Sequence, residues 1–177
     1  MGLLNRFSAI IDAGTQRLGQ VTAWLAVAMA LLMVFVVVLR YGFGIGAIAA
    51  QESVSYMHSA LFMLGASYTL LADEHVRVDI FYSHFSPRAK AWVNVLGHIV
   101  FTLPLVLLIG LSSLDYVGES WRSLEGSPEP GGIHGVYLLK TLIPLMAALL
   151  ALQAISIIIK GLLVLSSSRE EPHHGSC

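Results

Sequence analysis

The chain has 177 residues, of which 56 % are hydrophobic and only 12 % charged, and its mean hydropathy is +0.75. Soluble domains carry about 25 % charged residues, so the composition excludes an ordinary water-soluble globule and makes the lipid bilayer the expected solvent. A net charge of −1 gives no basis for binding nucleic acid, and the single cysteine, Cys177, can form no internal disulfide and lacks the neighbours of a metal site.

In chain order, residues 1–19 come first. Leu3, Leu4, Phe7, Ile10, Ile11 and Leu18 fall near one helical face, with Arg6, Asp12 and Gln16 largely elsewhere. That pattern predicts an amphipathic helix lying in the membrane interface; a loose hydrophobic tail is the alternative. A bilayer core about 30 Å thick needs roughly 20 mostly apolar residues per helical span. Four stretches meet that need, at 21–39, 53–72, 91–114 and 136–165. The first is longer than a signal-peptide core and has no small-x-small site before Arg40, so it reads as a retained span. The runs lack the alternation of barrel strands, and backbone groups in lipid must pair internally, so the spans are helices. Between the second and third, Val78–Phe85 reads as a short interfacial segment. Ser86-Pro87 then supplies an N-cap with proline at the first helical position. The run Gly126-Ser127-Pro128-Glu129-Pro130-Gly131-Gly132 is a loop, and 166–177 is a polar tail. The expected fold is therefore an all-α integral membrane protein, one domain over 1–177, with four transmembrane helices plus amphipathic interfacial helices.

Orientation follows from the cations. Arg6, Arg17, Arg77, Arg88, Lys90, Lys160 and Arg169 would share one side, and Arg40, Arg122 and Lys140 the other. The positive-inside rule puts both termini and the second connection in the cytoplasm. Trp24, Tyr41, Tyr82, Trp92, Tyr116 and Trp121 lie near the expected boundaries, as interfacial anchors do.

The chemistry of the spans is sparse. Every acid falls at a span end or in a connection, so no carboxylate is expected at the midplane, where ion- and proton-coupled carriers keep one. This argues against a stand-alone small carrier, and Pro104 and Pro144 read as kinks. His58 and His98 are the in-span histidines, which raises a haem-binding membrane anchor of a redox complex as the alternative function. Counted from opposite faces, they lie about 9 Å and about 10 Å deep, so in a core of about 30 Å they differ in level by roughly 10 Å. A histidine hydrogen-bonded between helices fits better. No nucleophile–base pair, phosphate loop or metal-spaced cluster appears, so neither an enzyme nor a cofactor is expected. Ser55, Ser59, Gly65, Ala66 and Ser67 allow close helix approach; they mark either a partner-binding face or internal packing.

No single motif is decisive, but several short ones follow in a characteristic order. Leu39-Arg40-Tyr41 ends the first span, and Gln51-Glu52-Ser53 starts the second. Leu64-Gly65-Ala66-Ser67-Tyr68 follows, then Asp73-Glu74-His75-Val76-Arg77-Val78-Asp79. Over residues 20–160 this resembles the small membrane subunit of tripartite ATP-independent periplasmic (TRAP) transporters, the DctQ-like family. Trp121, Glu125 to Gly131, Lys140 with Pro144, and Gln153 resemble its mannitol/chloroaromatic-type branch. The resemblance implies a small permease subunit in a bacterial inner membrane, acting in secondary transport as a fixed scaffold beside a large membrane subunit. That large subunit would carry the sodium and solute sites and drive uptake of an organic acid anion delivered by a periplasmic solute-binding protein.

Particular positions carry expectations of their own. Arg40, Glu52 and Lys140 sit at outer span ends and are predicted to form an ion pair or network; three separate interfacial charges are the alternative. His75, Arg77 and Asp79 are expected to shape the cytoplasmic turn, with Arg77 contacting membrane lipid phosphate or helix-end carbonyls. Gly65, Pro144 and Gln153 are expected on structural or partner interfaces. Glu119, Glu125 and Glu129 make the outer loop acidic, for docking the periplasmic partner or for solvation alone.

Overall fold

The computed structural model describes residues 2–72 and 85–167, and every regular element among them is helical. Helix α1 runs over Gly2–Gly42. It ends where Gly44 takes φ +69°, a conformation glycine enters without the penalty of a side chain. The chain wraps back there, and Ile45 N–H donates to the Leu39 carbonyl at 3.0 Å. Helix α2 covers Ile48–Leu71 and α3 covers Pro87–Gly97. The expected cap of α3 is formed, with the Ser86 hydroxyl accepting from Ala89 N–H at 3.3 Å and proline entering the first turn.

One wide turn, His98–Thr102, joins α3 to α4, Leu103–Ser123. Its cause is in the sequence: Pro104 has no N–H to give the carbonyl four residues back. The backbone adopts π spacing instead, and Leu103 N–H donates to the His98 carbonyl. Leu124 closes α4 at φ 46°, ψ 50°, a left-handed conformation that costs a side-chain-bearing residue about 1–2 kcal/mol. Helix α5, Val136–Ser167, carries Pro144 inside it without ending there.

Helix α5 is the hub. It packs against α1, α2, α3 and α4, while α1 and α2 also pack on each other. The core is thin and made of small or polar side chains: Ser67, Gln153, Ala154 and Ser156 are completely buried. Small residues set the helix spacing, as at other lipid-embedded interfaces. A methyl group at Gly161 would lie 2.5 Å from Val95 Cγ2, and one at Gly19 would lie 2.7 Å from Tyr68 Cβ. Large apolar side chains point outward instead, among them Leu31, Val34 and Phe35 of α1 and Leu105, Leu108 and Leu111 of α4.

Three segments, Gly2–Gly42, Arg88–Ser123 and Val136–Ser166, are long and apolar enough to cross a membrane, and only 11–22 % of their most apolar windows is buried. Helix α2 is not among them, because Glu52, His58 and several serines dilute it. At 1.5 Å per residue its 24 residues still reach about 36 Å.

Two boundaries differ from expectation. Residues 2–19 do not form a separate interfacial helix: they run unbroken into the first span as one helix of 41 residues, about 60 Å long. The reason is polar contact, since Ser8, Asp12 and Thr15 face α5 and are held there. The third span continues past Leu114 to Ser123, so Asp115, Tyr116, Glu119 and Trp121 belong to helix. Apart from Phe85, the segment Val78–Phe85 lies outside the described residues, as does most of the tail.

Candidate functional site

Polar side chains gather at two places along α5. Near its start they fasten the α4–α5 loop. Glu125 follows the left-handed Leu124, and its N–H reaches the Ser120 carbonyl at 3.0 Å. Its carboxylate turns inward, where Oε2 accepts from Ser120 Oγ at 2.7 Å and from Lys140 Nζ at 2.5 Å. Lys140 Nζ also sits 3.9 Å from the centre of the Tyr116 ring, a cation–π contact. Across the loop, Glu52 of α2 accepts from Ser127 Oγ and from Ile133 N–H, the latter at 2.6 Å. Ser127 N–H bonds the Ile133 carbonyl at 3.1 Å, closing the loop on itself. Trp121 Nε1 donates to Thr141 Oγ1 at 2.8 Å and its ring meets Tyr137 edge-on at 4.7 Å. The Lys140 and Ser120 hydrogen bonds hold the Glu125 carboxyl below the usual carboxylate range.

The second cluster joins the first half of α1 to the last half of α5. Asp12 Oδ1 accepts from Gln153 Nε2 at 3.0 Å and from Ser156 Oγ at 2.7 Å, and Oδ2 accepts from Lys160 Nζ. Thr15 Oγ1 donates to Gln153 Oε1 at 2.9 Å, and Ser156 Oγ also lies 3.3 Å from the Ser8 carbonyl. Both Gln153 amide atoms are thus used in a place where an unpaired amide would be costly.

A groove of about 500 Å³ lies between α1 and α2, walled by Gly19, Thr22 and Ala23 on one side and Phe62, Gly65 and Thr69 on the other. The small residues of α2 therefore divide. Ser67 is packed inside, whereas Gly65 looks onto open space.

The expected residues separate accordingly. Lys140 pairs with Glu125 and not with Glu52, because the Gly/Pro loop folds back and puts Glu125 beside Lys140 while its backbone N–H takes Glu52. Arg40 is exposed in the last turn of α1. Gln153 is the centre of the second cluster, and Pro144 is half-buried within α5. Of the acidic loop residues, Glu125 is engaged inward, Glu119 pairs with Arg122 at 3.4 Å on the surface, and Glu129 is exposed. His75, Arg77 and Asp79 lie outside the described residues. His58 is exposed beside Phe62 of its own helix, while His98 is buried with Nδ1 3.1 Å from Thr102 Oγ1. Among the described residues no three His, Cys, Asp or Glu side chains group as metal ligands would.

Sequence reasoning missed the Asp12 cluster, although the sequence carries its signal. Ser8, Asp12 and Thr15 recur at i, i+4 and i+7, and Gln153, Ser156 and Lys160 at i, i+3 and i+7. Each set is one helical stripe.

These arrangements fasten helices to one another and fix one outer loop. No curated protein and no solved structure matches the chain. The family model described as "Tripartite ATP-independent periplasmic transporters, DctQ component" matches residues 29–163, well over half of the chain. That match takes in α2, α3 and α4 entirely, with most of α5 and the last third of α1. A bundle whose apolar faces stay open, whose small-residue core sets the helix spacing and whose sequence fits that model is a multi-pass membrane component of such a transporter: the chain belongs to the DctQ family.

Proposed function

We propose that this chain is the fixed scaffold subunit of its transporter, in a bacterial inner membrane, and that it takes no direct part in carrying solute. Its large membrane partner would hold the sodium and solute sites and move an organic acid anion supplied by a periplasmic binding protein. The observation carrying this reading is the placement of charge. Along α5 no charged residue occurs between Lys140 and Lys160, a rise of about 30 Å that equals a bilayer core. The same holds from Arg17 to Arg40, from Glu52 to Asp73 and from Lys90 to Asp115. These four charge-free lengths, α2 included, support four spans, and the excess of Lys and Arg beside both termini and in the second connection supports termini in the cytoplasm. A coupled carrier needs ionisable or coordinating groups at depth. Here Asp12, Glu52 and Glu125 lie outside the interiors of these charge-free lengths and are each satisfied by partners within the chain. On the outer side, Glu119 and Glu129 are exposed and are the acids suited to docking the periplasmic protein.

Two experiments test this. In proteoliposomes with a sodium gradient, uptake should require the large subunit and the binding protein, and this chain alone should give none; accumulation by this chain unaided would overturn the scaffold reading. For topology, Cys177 is a natural unique thiol. An impermeant maleimide should label it only in permeabilised cells, whereas Glu129→Cys in a Cys177→Ser background should label in intact cells.

A further inference from the structure

The loop between α4 and α5 is fixed at its roots and closed on itself. At the roots, Glu125 N–H donates to the Ser120 carbonyl at 3.0 Å and Val136 N–H to the Glu125 carbonyl at 3.1 Å. Within the loop, Ser127 N–H reaches the Ile133 carbonyl at 3.1 Å, Glu129 N–H reaches Ser127 Oγ at 3.1 Å, and Gly132 N–H reaches the Glu129 carbonyl at 3.0 Å. None of these bonds involves α2. Among the described residues, the loop's hydrogen bonds to α2 all end on Glu52, which accepts from Ser127 Oγ and Ile133 N–H. One turn along α2, the Tyr56 hydroxyl is buried and has no hydrogen-bond partner among the described residues. We propose that this loop is a latch with two positions: seated, where Glu52 holds the loop, and lifted, where Glu52 accepts from the Tyr56 hydroxyl instead.

Three observations carry it. First, a buried hydroxyl without a partner costs free energy, and the seated loop leaves it so. Tyr56 lines a cleft of about 300 Å³ between α1, α2 and α5, where its neighbours, among them Leu25, Met57, Leu138 and Leu142, have apolar side chains. Those side chains offer the hydroxyl no acceptor, nor the about two to four polar partners that a buried water needs. Second, residues four apart on a helix are neighbours, so Glu52 is the acceptor within reach once the loop releases it. Its charge is already felt at Tyr56. Third, the seated position depends on one close approach: a methyl group at Gly132 would lie 2.8 Å from Glu52 Oε1. The loop leaves that contact as a unit, with its root and internal bonds intact.

The test uses the purified full chain in detergent, with amide exchange at Ile133 N–H and thermal unfolding as readouts. Tyr56→Phe removes the hydroxyl and little else. It should slow exchange at Ile133 about fivefold, because the seated state sheds an unpaired buried group and the lifted state loses its bond. A tyrosine that only fills space would leave exchange unchanged. Gly132→Ala crowds the loop off Glu52 while altering neither Glu52 nor Tyr56, and should quicken exchange several-fold. In that background Tyr56→Phe should lower the melting temperature, whereas in the natural sequence it should not. Exchange unslowed by Tyr56→Phe or unquickened by Gly132→Ala, or a melting temperature that responds to Tyr56→Phe alike in both backgrounds, overturns the proposal. If Gly132→Ala does not fold, the exchange rate in Tyr56→Phe decides alone. Every readout is made on the isolated chain, so the outcome is independent of the scaffold reading.

Discussion

The two polar clusters on α5 use the same groups, carboxylate, lysine and hydroxyl, to opposite ends. At the loop end the acids come from different elements, Glu52 from α2 and Glu125 from the loop, and each is met partly by hydroxyls or backbone near the surface. At the other end a single acid, Asp12, gathers Gln153, Ser156 and Lys160, with two of those side chains fully buried. The first arrangement shapes a loop. The second fixes one long helix to another. Distributed surface bonds lose little when one is removed, whereas one acceptor serving several buried donors fails as a unit.

Breaking that contrast begins with Asp12→Ala, where the largest effect is expected. It strands Lys160, Gln153 and Ser156 together. The loss should be about 2 kcal/mol, less than the roughly 3–5 kcal/mol of a fully buried pair because the Lys160 side chain is 46 % exposed and screened by solvent. Thermal unfolding in detergent measures it, and Asp12→Asn should recover part by keeping one acceptor for the hydroxyl and amide. Next comes Gly19→Val, which drives a side chain into Tyr68 and should cost roughly 1–3 kcal/mol by overpacking, with rescue by Tyr68→Ala.

Smaller and more local is Glu52→Ala. Hydrogen exchange at Ile133 N–H should quicken several-fold while the melting temperature hardly moves, since the loop alone loses its tether. The Glu125–Lys140 pair gives a pH signature of defined sign. Because the Glu125 carboxyl is depressed when folded, its stabilising effect is present above the usual carboxylate range and is lost as pH falls through the lowered value. Trp121 emission, read with Trp24 and Trp92 replaced by Phe, should report that transition, and Lys140→Met should move it up toward the ordinary range. The smallest structural effect belongs to Glu129→Lys, whose side chain is exposed. Unfolding should be unchanged, and any loss should appear in binding of the periplasmic protein.

Helix α5 is legible in the sequence because lipid imposes a length: apolar residues predict it over 136–165, and it occupies Val136–Ser167. The Ser86 cap is legible because Ser-Pro has a local geometry of its own. The continuity of α1 is not, since apolar periodicity alone cannot tell a helix lying in the interface from one packed along a neighbour. Asp12 decides between them, and its partners lie more than 140 positions away. The partner of Lys140 escapes the sequence for a related reason. Glu52 and Lys140 share a level, but the loop's fold, set by Leu124 and the Gly/Pro run, brings Glu125 closer.

The hub position of α5 has a consequence for assembly. Ribosomes deliver this helix after the other four, yet among the described residues α3 and α4 have no substantial contact with the α1–α2 hairpin except through it. Until it forms, the two helix pairs before it lack the element on which both pack. Closure of the bundle is therefore a late, single event, and a ribosome stalled before Val136 would leave behind halves with nothing to clasp.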